Sequence, residues 1–310
     1  MEITAGIDVS KARLDVHVHP MGESFAVGND EAGVAELVER LGRLEGLSWI
    51  GLEASGRYER LAVAELAAAG LPVIVLNPAQ VRAYAQAIGQ RAKTDPIDAR
   101  LIALFLVAVR PELRPMPDAG TQELGALMAR RRQIVTMLVA EKLRRQQASP
   151  GLVRTSIARV VTTLEDDLKD LDRHIDTMVR GTPVWRDKED LLASVPGVGK
   201  TIARTLLAEM PELGTLTPRQ AAALAGLAPY TRQSGRWRGK TFIAGGRSAV
   251  RAALYMGAMV AARRNPTLKA FRDQLVAKGK PKLVALIATA RKLLIILNAI
   301  LRDHKPWRPA

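Results

Sequence analysis

The sequence predicts an α/β domain at the N-terminal end, a long helical segment in the middle and a mostly α domain at the C-terminal end. Three observations predict it. Short apolar runs alternate with amphipathic stretches through the first third. A later stretch carries an unbroken heptad of aliphatic residues. Basic residues, interrupted by Gly and Pro, crowd the last third.

Ile3–Val9, Leu14–His19 and Ser24–Val27 read as strands. Glu31 to Leu44 reads as an amphipathic helix, with Val34, Leu37, Val38 and Leu41 on one face. Leu47–Glu53 is a buried strand, Tyr58–Ala69 a helix closed by Gly70, and Leu71–Leu76 another apolar strand. Pro78 starts the next helix. The order βββαβαβα predicts a mixed sheet with helices packed on it, whose ligand site lies at the carboxyl ends of strands.

Pro111, Pro115 and Pro117 mark a boundary, giving an N-terminal domain of residues 1–117. A helix follows from about Thr121 to Gln147, and Pro150-Gly151 breaks it. The next helix shows the seam Ile157, Val161, Leu164, Leu168, Leu171, Ile175, Met178, with steps alternating four and three as a coiled coil requires. The seam suits a helical hairpin within the chain and a dimer interface equally well. Residues 118–183 form this coiled-coil or hairpin insertion, and residues 184–310 the basic, mostly helical domain. There, Leu191 to Thr201 resembles a helix-hairpin-helix turn, in which Gly197, Gly199 and Lys200 would approach a phosphate. A Walker A loop fails on Ser194, which stands where that loop needs Gly, and on the helical segment before it.

Charge narrows the partner. The 310-residue chain carries a net charge of +15. Residues 1–117 hold 12 Lys/Arg and 15 Asp/Glu, net −3; residues 118–183 hold 11 and 9, net +2; residues 184–310 hold 23 and 7, net +16. A polyanion docking on the last third is expected, and nucleic acid is the polyanion that fits. There are no cysteines, which excludes disulfides, thiolate zinc sites and a cysteine nucleophile. No signal peptide opens the chain, and the apolar stretch Leu283 to Leu301 carries Arg291 and Lys292 at its middle, against a membrane span. The expected location is the cytoplasm, at the nucleoid, with no membrane partner.

Four acids carry the chemistry. Asp8 and Glu53 end buried strands, and Asp95 and Asp98 open a helix one turn apart on one face. Each has an ordinary alternative: Asp8 a turn cap, Glu53 an exposed strand end, Asp95 an N-cap before Pro96, and Asp98 a partner for the helix dipole. Together they make a hard-oxygen donor set for Mg²⁺, or Mn²⁺, in phosphodiester chemistry. Lys93 and Arg100 flank the helical pair and would hold phosphates.

Gly-Ile-Asp-Val-Ser-Lys, Leu-Glu-Ala-Ser-Gly and Lys-Thr-Asp-x-x-Asp-Ala together resemble the RuvC-like, RNase H-fold domain of the DEDD transposases of insertion-sequence family one hundred and ten. Val-Pro-Gly-Val-Gly, Ala-Gly-Leu-Ala-Pro, Gln-Ser-Gly and Gly-Gly-Arg-Ser-Ala-Val-Arg resemble the C-terminal transposase domain of the same family. The resemblance implies DNA recombination with acid-held Mg²⁺ and a serine that becomes covalently attached to a DNA phosphate. It also implies donor and target DNA, a structured bridge RNA that guides pairing to both, and homodimers or homotetramers with composite active sites.

Two serines are candidates. Ser248 precedes a helix and fits an N-cap. Ser234 caps nothing, is followed by Gly235 and is surrounded by Arg232, Arg236, Arg238 and Lys240; the Ser-Gly motif of the family falls on it. Trp237 suits a stacked base and a core anchor equally. Arg247 and Arg251 complete the expected nucleic-acid contacts. The leading expectation is an RNA-guided transposase using Asp8, Glu53, Asp95, Asp98 and Ser234. The alternatives are a junction-resolving nuclease that uses water as nucleophile and a nucleic-acid scaffold without catalysis.

Overall fold

A computed structural model describes residues 2–56, 58–90, 95–113 and 118–308; the side chains of Asp95, Pro96 and Arg238 also lie outside the description. The chain divides into two compact units, Met1–Met116 and Pro117–Ala310.

In the first unit the strands are β1 (Ile3–Val9), β2 (Arg13–His19), β3 (Glu23–Gly28), β4 (Leu47–Glu53) and β5 (Val73–Leu76). They form one sheet in the order β3-β2-β1-β4-β5. β1 pairs antiparallel with β2 and parallel with β4, and β5 extends the parallel side. This is the mixed sheet that the βββαβαβα order anticipates. Side chains alternate faces along each strand. Ala5, Ile7, Leu14, Val16, Ile50 and Leu52 are buried on one face against Val34, Leu37 and Leu41 of α1 (Glu31–Gly42) and Val63 and Leu66 of α2 (Arg60–Ala68).

The other face carries α3 (Pro78–Ala87) and α4 (Asp95–Val109). Gly6 and Gly51 stand opposite each other on β1 and β4. A Cβ on Gly6 would collide with the Ala99 carbonyl oxygen and the Ala103 amide of α4. One on Gly51 would lie 2.9 Å from Leu106 and 3.0 Å from Ile102. These two residues without side chains let α4 lie directly on the sheet, and Thr4 Oγ1 locks it there by donating to the Ala103 carbonyl at 3.0 Å.

Among the boundaries that differ from expectation, two bear on the sheet and the acidic site. The strand expected from Leu71 begins at Val73, because the Leu71 amide still closes α2 on the Leu66 carbonyl and Pro72 has no amide to donate to a ladder. The cap expected at Asp95 is instead the first residue of α4 itself.

The second unit is built on helices. α5 (Ala119–Gln147) and α6 (Leu152–Gly181) form an antiparallel hairpin, tied by Arg131 to Asp172 at 2.6 Å and Lys142 to Glu165 at 2.7 Å. Within the chain, the seam residues Val161 and Leu164 are buried against Ile134 and Leu138 of α5, with Ile157, Leu168 and Leu171 packed around them. The last part of the seam, Ile175, joins the main core with Leu192 of α7 (Pro183–Ala193), Leu206 of α8 (Lys200–Glu209), Leu254 of α10 (Ser248–Arg264), Leu268 of α11 (Pro266–Ala277) and Leu293 of α12 (Lys282–Asp303). By length and composition α12 could cross a membrane, but Leu293, Leu294, Leu297 and Asn298 are buried in this core. Asn298 accepts from the Gly214 amide at 2.9 Å and donates to the Leu216 carbonyl at 2.7 Å, so both polar atoms of its side chain are bonded there.

A short helix α9 (Pro218–Leu224) precedes a ribbon that the sequence pattern does not signal. β6 (Pro229–Tyr230) pairs with β9 (Phe242–Ile243), and β7 (Gln233–Ser234) with β8 (Trp237–Arg238). Two-residue strands leave no period to detect.

The close approach of α4 gives a direct test. Gly6→Ala should lower the unfolding free energy by about 1–3 kcal/mol, as overpacking does. Gly42→Ala, where an added Cβ meets nothing within 4 Å, should be neutral or gain up to about 1 kcal/mol. Urea unfolding of both variants measures the contrast.

Candidate acidic cleft and serine ribbon

The carboxyl ends of β1 and β4 meet the first turn of α4. Asp8 continues the Gly6 face of β1, and Glu53 continues the Gly51 face of β4, so both side chains stand on the side where α4 packs. Asp98, three residues into α4, completes the approach. Asp8, Glu53 and Asp98 line one cleft of about 380 Å³, together with Arg82, Gln90, Pro78 and Val81. All three acids are half-buried. The side chain of Asp95 and all of Lys93 lie outside the described residues.

The donor set is all carboxylate oxygen, the chemistry a hard divalent cation takes. Among the described residues no three His, Asp or Glu stand close enough to close a metal site. The fit is therefore one of donor type and shared cleft.

The strand beside Asp8 adds a second acid. Asp15 is the cross-strand partner of Asp8, is 6% exposed, and is held by a bidentate Arg13 through Nε at 3.0 Å and Nη2 at 2.8 Å. Like charges opposite each other repel, and Arg13 offsets that repulsion. Next along β2, His17 is bound to Ser24 Oγ at 2.8 Å. Burial first, then the charges of Arg100 and His19, holds its imidazole below the usual pKa. Arg100 itself is exposed.

In the second unit Ser234 is exposed near the tip of the ribbon, opposite Trp237, and Gly235 at φ +54° makes the turn between them. Below the tip, Tyr230 and Phe242 stack with ring centroids 5.9 Å apart, and the Arg232 guanidinium lies 4.9 Å over the Phe242 ring. The Trp237 ring lies against Gly239, yet Trp237 remains 59% exposed, which sets it apart from a core anchor. Arg232, Arg236 and Lys240 are exposed around Ser234; the side chain of Arg238 lies outside the description.

Ser248 is not the cap that its position suggests. Arg247 is the N-cap of α10, no side chain caps it, and Ser248 is the first helical residue, exposed. Arg247 is committed internally: its guanidinium binds Glu212 at 2.7 and 2.6 Å and the Glu209 carbonyl at 2.9 Å. Arg251 donates to the Gly245 carbonyl. Both arginines thus brace the glycine loop, where Gly226 and Gly246 touch backbone to backbone.

The α7–α8 turn divides its two glycines. A Cβ on Gly197 would lie 2.7 Å from Ala261 of α10, so this glycine is a packing contact, while Gly199 faces open space as the N-cap of α8. Lys200 is paired with Asp176 at 3.2 Å, and Asp176 also binds Arg204 at 2.5 Å. Those two bonds, Arg204 first, hold the Asp176 carboxyl below its usual pKa.

Residues 5–148 match a family model described as a transposase, the DEDD type of IS110 elements, and residues 189–273 match one described as a transposase of the IS116/IS110/IS902 family. The pilin gene-inverting protein of Moraxella bovis is 30% identical over 97% of this chain and 96% of its own length. The uncharacterized 44.8 kDa protein of insertion element IS116 from Streptomyces clavuligerus is 26% identical over 99% of this chain and 96% of its own. A T. thermophilus RuvC chain solved with a Holliday junction substrate is 17% identical, covering 35% of this chain and 96% of its own, with a TM-score of 0.28.

Two expectations follow from this geometry. Arg247→Ala should cost roughly 1.5–3 kcal/mol of stability, the worth of hydrogen bonds to a charged group. Arg236→Ala should leave stability within about 0.5 kcal/mol and reduce the salt slope of duplex-DNA binding by about 0.9. Thermal melts and salt-titrated anisotropy separate the two. For His17, the folded pKa lies below 6.5, so the unfolded state binds more protons as pH falls. Stability should therefore be full above about pH 6.5 and decline below it. In His17→Gln that decline should be shallower in urea unfolding between about pH 5 and 7.

Proposed function

Because the chain belongs to the DEDD transposase family of IS110 elements and is a DNA recombination enzyme, we propose that it cleaves and rejoins DNA through a covalent Ser234–DNA intermediate, with Mg²⁺ held by its acids. One observation carries this reading. Asp8, Glu53 and Asp98 line a single cleft in one unit, while an exposed serine stands among exposed Arg232, Arg236 and Lys240 in the other.

The chemistry balances without hydrolysis. Ser234 Oγ loses its proton and forms a bond to phosphorus, and one phosphorus–oxygen bond of the DNA breaks. The leaving DNA oxygen takes up a proton as a strand-end hydroxyl. Rejoining reverses the step, with a strand-end hydroxyl attacking the serine-linked phosphate. One ester is exchanged for another each time, so the energy of the phosphodiester is kept for resealing. A divalent cation on Asp8, Glu53, Asp95 and Asp98 would supply Lewis-acid stabilisation of the phosphate's developing charge. Arg232 and Arg236 would neutralise the phosphate that Ser234 attacks.

The division of labour follows the charge. Residues 1–117 supply the acids, residues 118–183 the helical spacer, and residues 184–310, net +16, the nucleic-acid surface and the nucleophile. Within that last segment the α7–α8 turn acts as a helix-hairpin-helix phosphate contact through Gly199 and Lys200. Donor and target DNA, and a structured guide RNA that selects them, are the partners; a second copy supplies the complementary half of a composite active site. The enzyme acts on nucleoid DNA in the cytoplasm.

The test is a denaturing gel of protein with labelled DNA carrying the native flanks of this gene and RNA transcribed from them. Wild type should give a covalent adduct, and Ser234→Ala none while still binding DNA. Ser248→Ala should keep the adduct and, lacking a cap bond to lose, keep its melting temperature. Asp98→Asn should abolish the adduct without unfolding. Strand cleavage without any adduct in wild type would instead make this a metal-dependent nuclease using water.

A further inference from the structure

Among the described residues, the acidic cleft is lined by one cation, which the sequence pattern does not reveal. Arg82 lines it beside Asp8, Glu53 and Asp98. It sits on α3, whose neighbouring Val81 and Ala85 are buried, so the helix is anchored while Arg82 is exposed. Among the described residues Arg82 makes no ion pair and no hydrogen bond, although three carboxylates share its cleft. Its guanidinium is therefore not consumed in neutralising those acids.

An acid-lined cleft in a unit of net charge −3 repels the phosphate it must receive. A cation lining the same cleft relieves that repulsion, and the planar fork of arginine matches two phosphate oxygens at once. A volume of about 380 Å³ is at the small end of ligand sites and suits a strand's phosphodiester better than a paired base step. We propose that Arg82 is a phosphate-clamping residue of the acidic cleft, gripping the non-bridging oxygens of the DNA strand brought to Asp8, Glu53 and Asp98. The proposal rests on the reading of those acids as the DNA-cleaving site.

Two measurements on the full chain test it. In the first, phenylglyoxal modification is followed by mass spectrometry with and without duplex DNA of the native flanks, with Ca²⁺ present to hold back turnover. Arg43, in the segment that leads into the start of β4 and so lies toward the amino end of that strand, away from the carboxyl end that carries Glu53, is the internal reference. Arg82 should be protected by DNA and Arg43 should not. In the second, a recombination reporter carrying the native flanks compares variants. Arg82→Gln should lose roughly a hundredfold in recombination with an unchanged melting temperature, and Arg82→Lys should recover part of it. Equal modification of Arg82 with and without DNA, or wild-type recombination by Arg82→Gln, overturns the clamp. If Asp98→Asn also recombines normally, the acid-site reading itself has failed; if Asp98→Asn is inactive and Arg82→Gln is not, only the clamp has.

Discussion

Backbone contact between α4 and the centre of the sheet is the constraint on which the acidic site depends. Gly6 and Gly51, side by side on β1 and β4, remove the side chains that would hold α4 away. The helix then settles against the strands, with Ile102 and Leu106 filling the space and Thr4 bonding the Ala103 carbonyl. Asp98 lies one turn before Ile102 on the same helix, so this docking carries it to the strand ends that hold Asp8 and Glu53. Three carboxylates far apart in the chain line one cleft because two glycines have nothing to place between strand and helix.

The second unit solves a different problem, which is to hold many positive charges in a stable core. It pairs several of those on its helices, among them Arg131, Lys142, Arg180, Lys200 and Arg204, and leaves Arg232, Arg236 and Lys240 of its ribbon exposed. Glu189, with no exposed surface, takes Arg204 at 2.6 Å and lies 3.0 Å from Arg180, close enough for an ion pair though its Oε2 is not aligned for a hydrogen bond. Removing one member of such a buried set leaves an uncompensated charge, which is why these groups fix the α6–α7–α8 arrangement. Arg247 on Glu212 does the same for the glycine loop before α10. Arg232, Arg236 and Lys240 are outside these networks and face solvent around Ser234. The distinction between bracing and available arginines is energetic: a guanidinium already making three bonds within the protein would lose them to bind a phosphate.

Much of the fold was legible in the sequence. The three opening strands, Leu47–Glu53 and the heptad seam are periodic, and each fell within a residue or two of its predicted place. The acids Asp8, Glu53 and Asp98 were legible because charge at the end of an apolar run stands out. Arg82 was not: it occupies an ordinary helix-surface position after Pro78, and the acids that share its cleft lie on other elements. Nor were the ribbon around Ser234, the bracing of the glycine loop by Arg247 or the seam's partner. The heptad specifies an apolar stripe, and α5 or another copy would satisfy it equally until packing chose α5.

The sequence by itself determined the type of the regular elements outside the ribbon, the carboxylates of the cleft and the concentration of positive charge in residues 184–310. These depend on periodicity and composition, which are local and additive. Tertiary structure alone decided which arginines are spent on internal partners, that Ser248 caps no helix, and that Arg82 shares a cleft with the acids. Those outcomes depend on distances between residues remote in the chain, and such distances exist only once the core has packed.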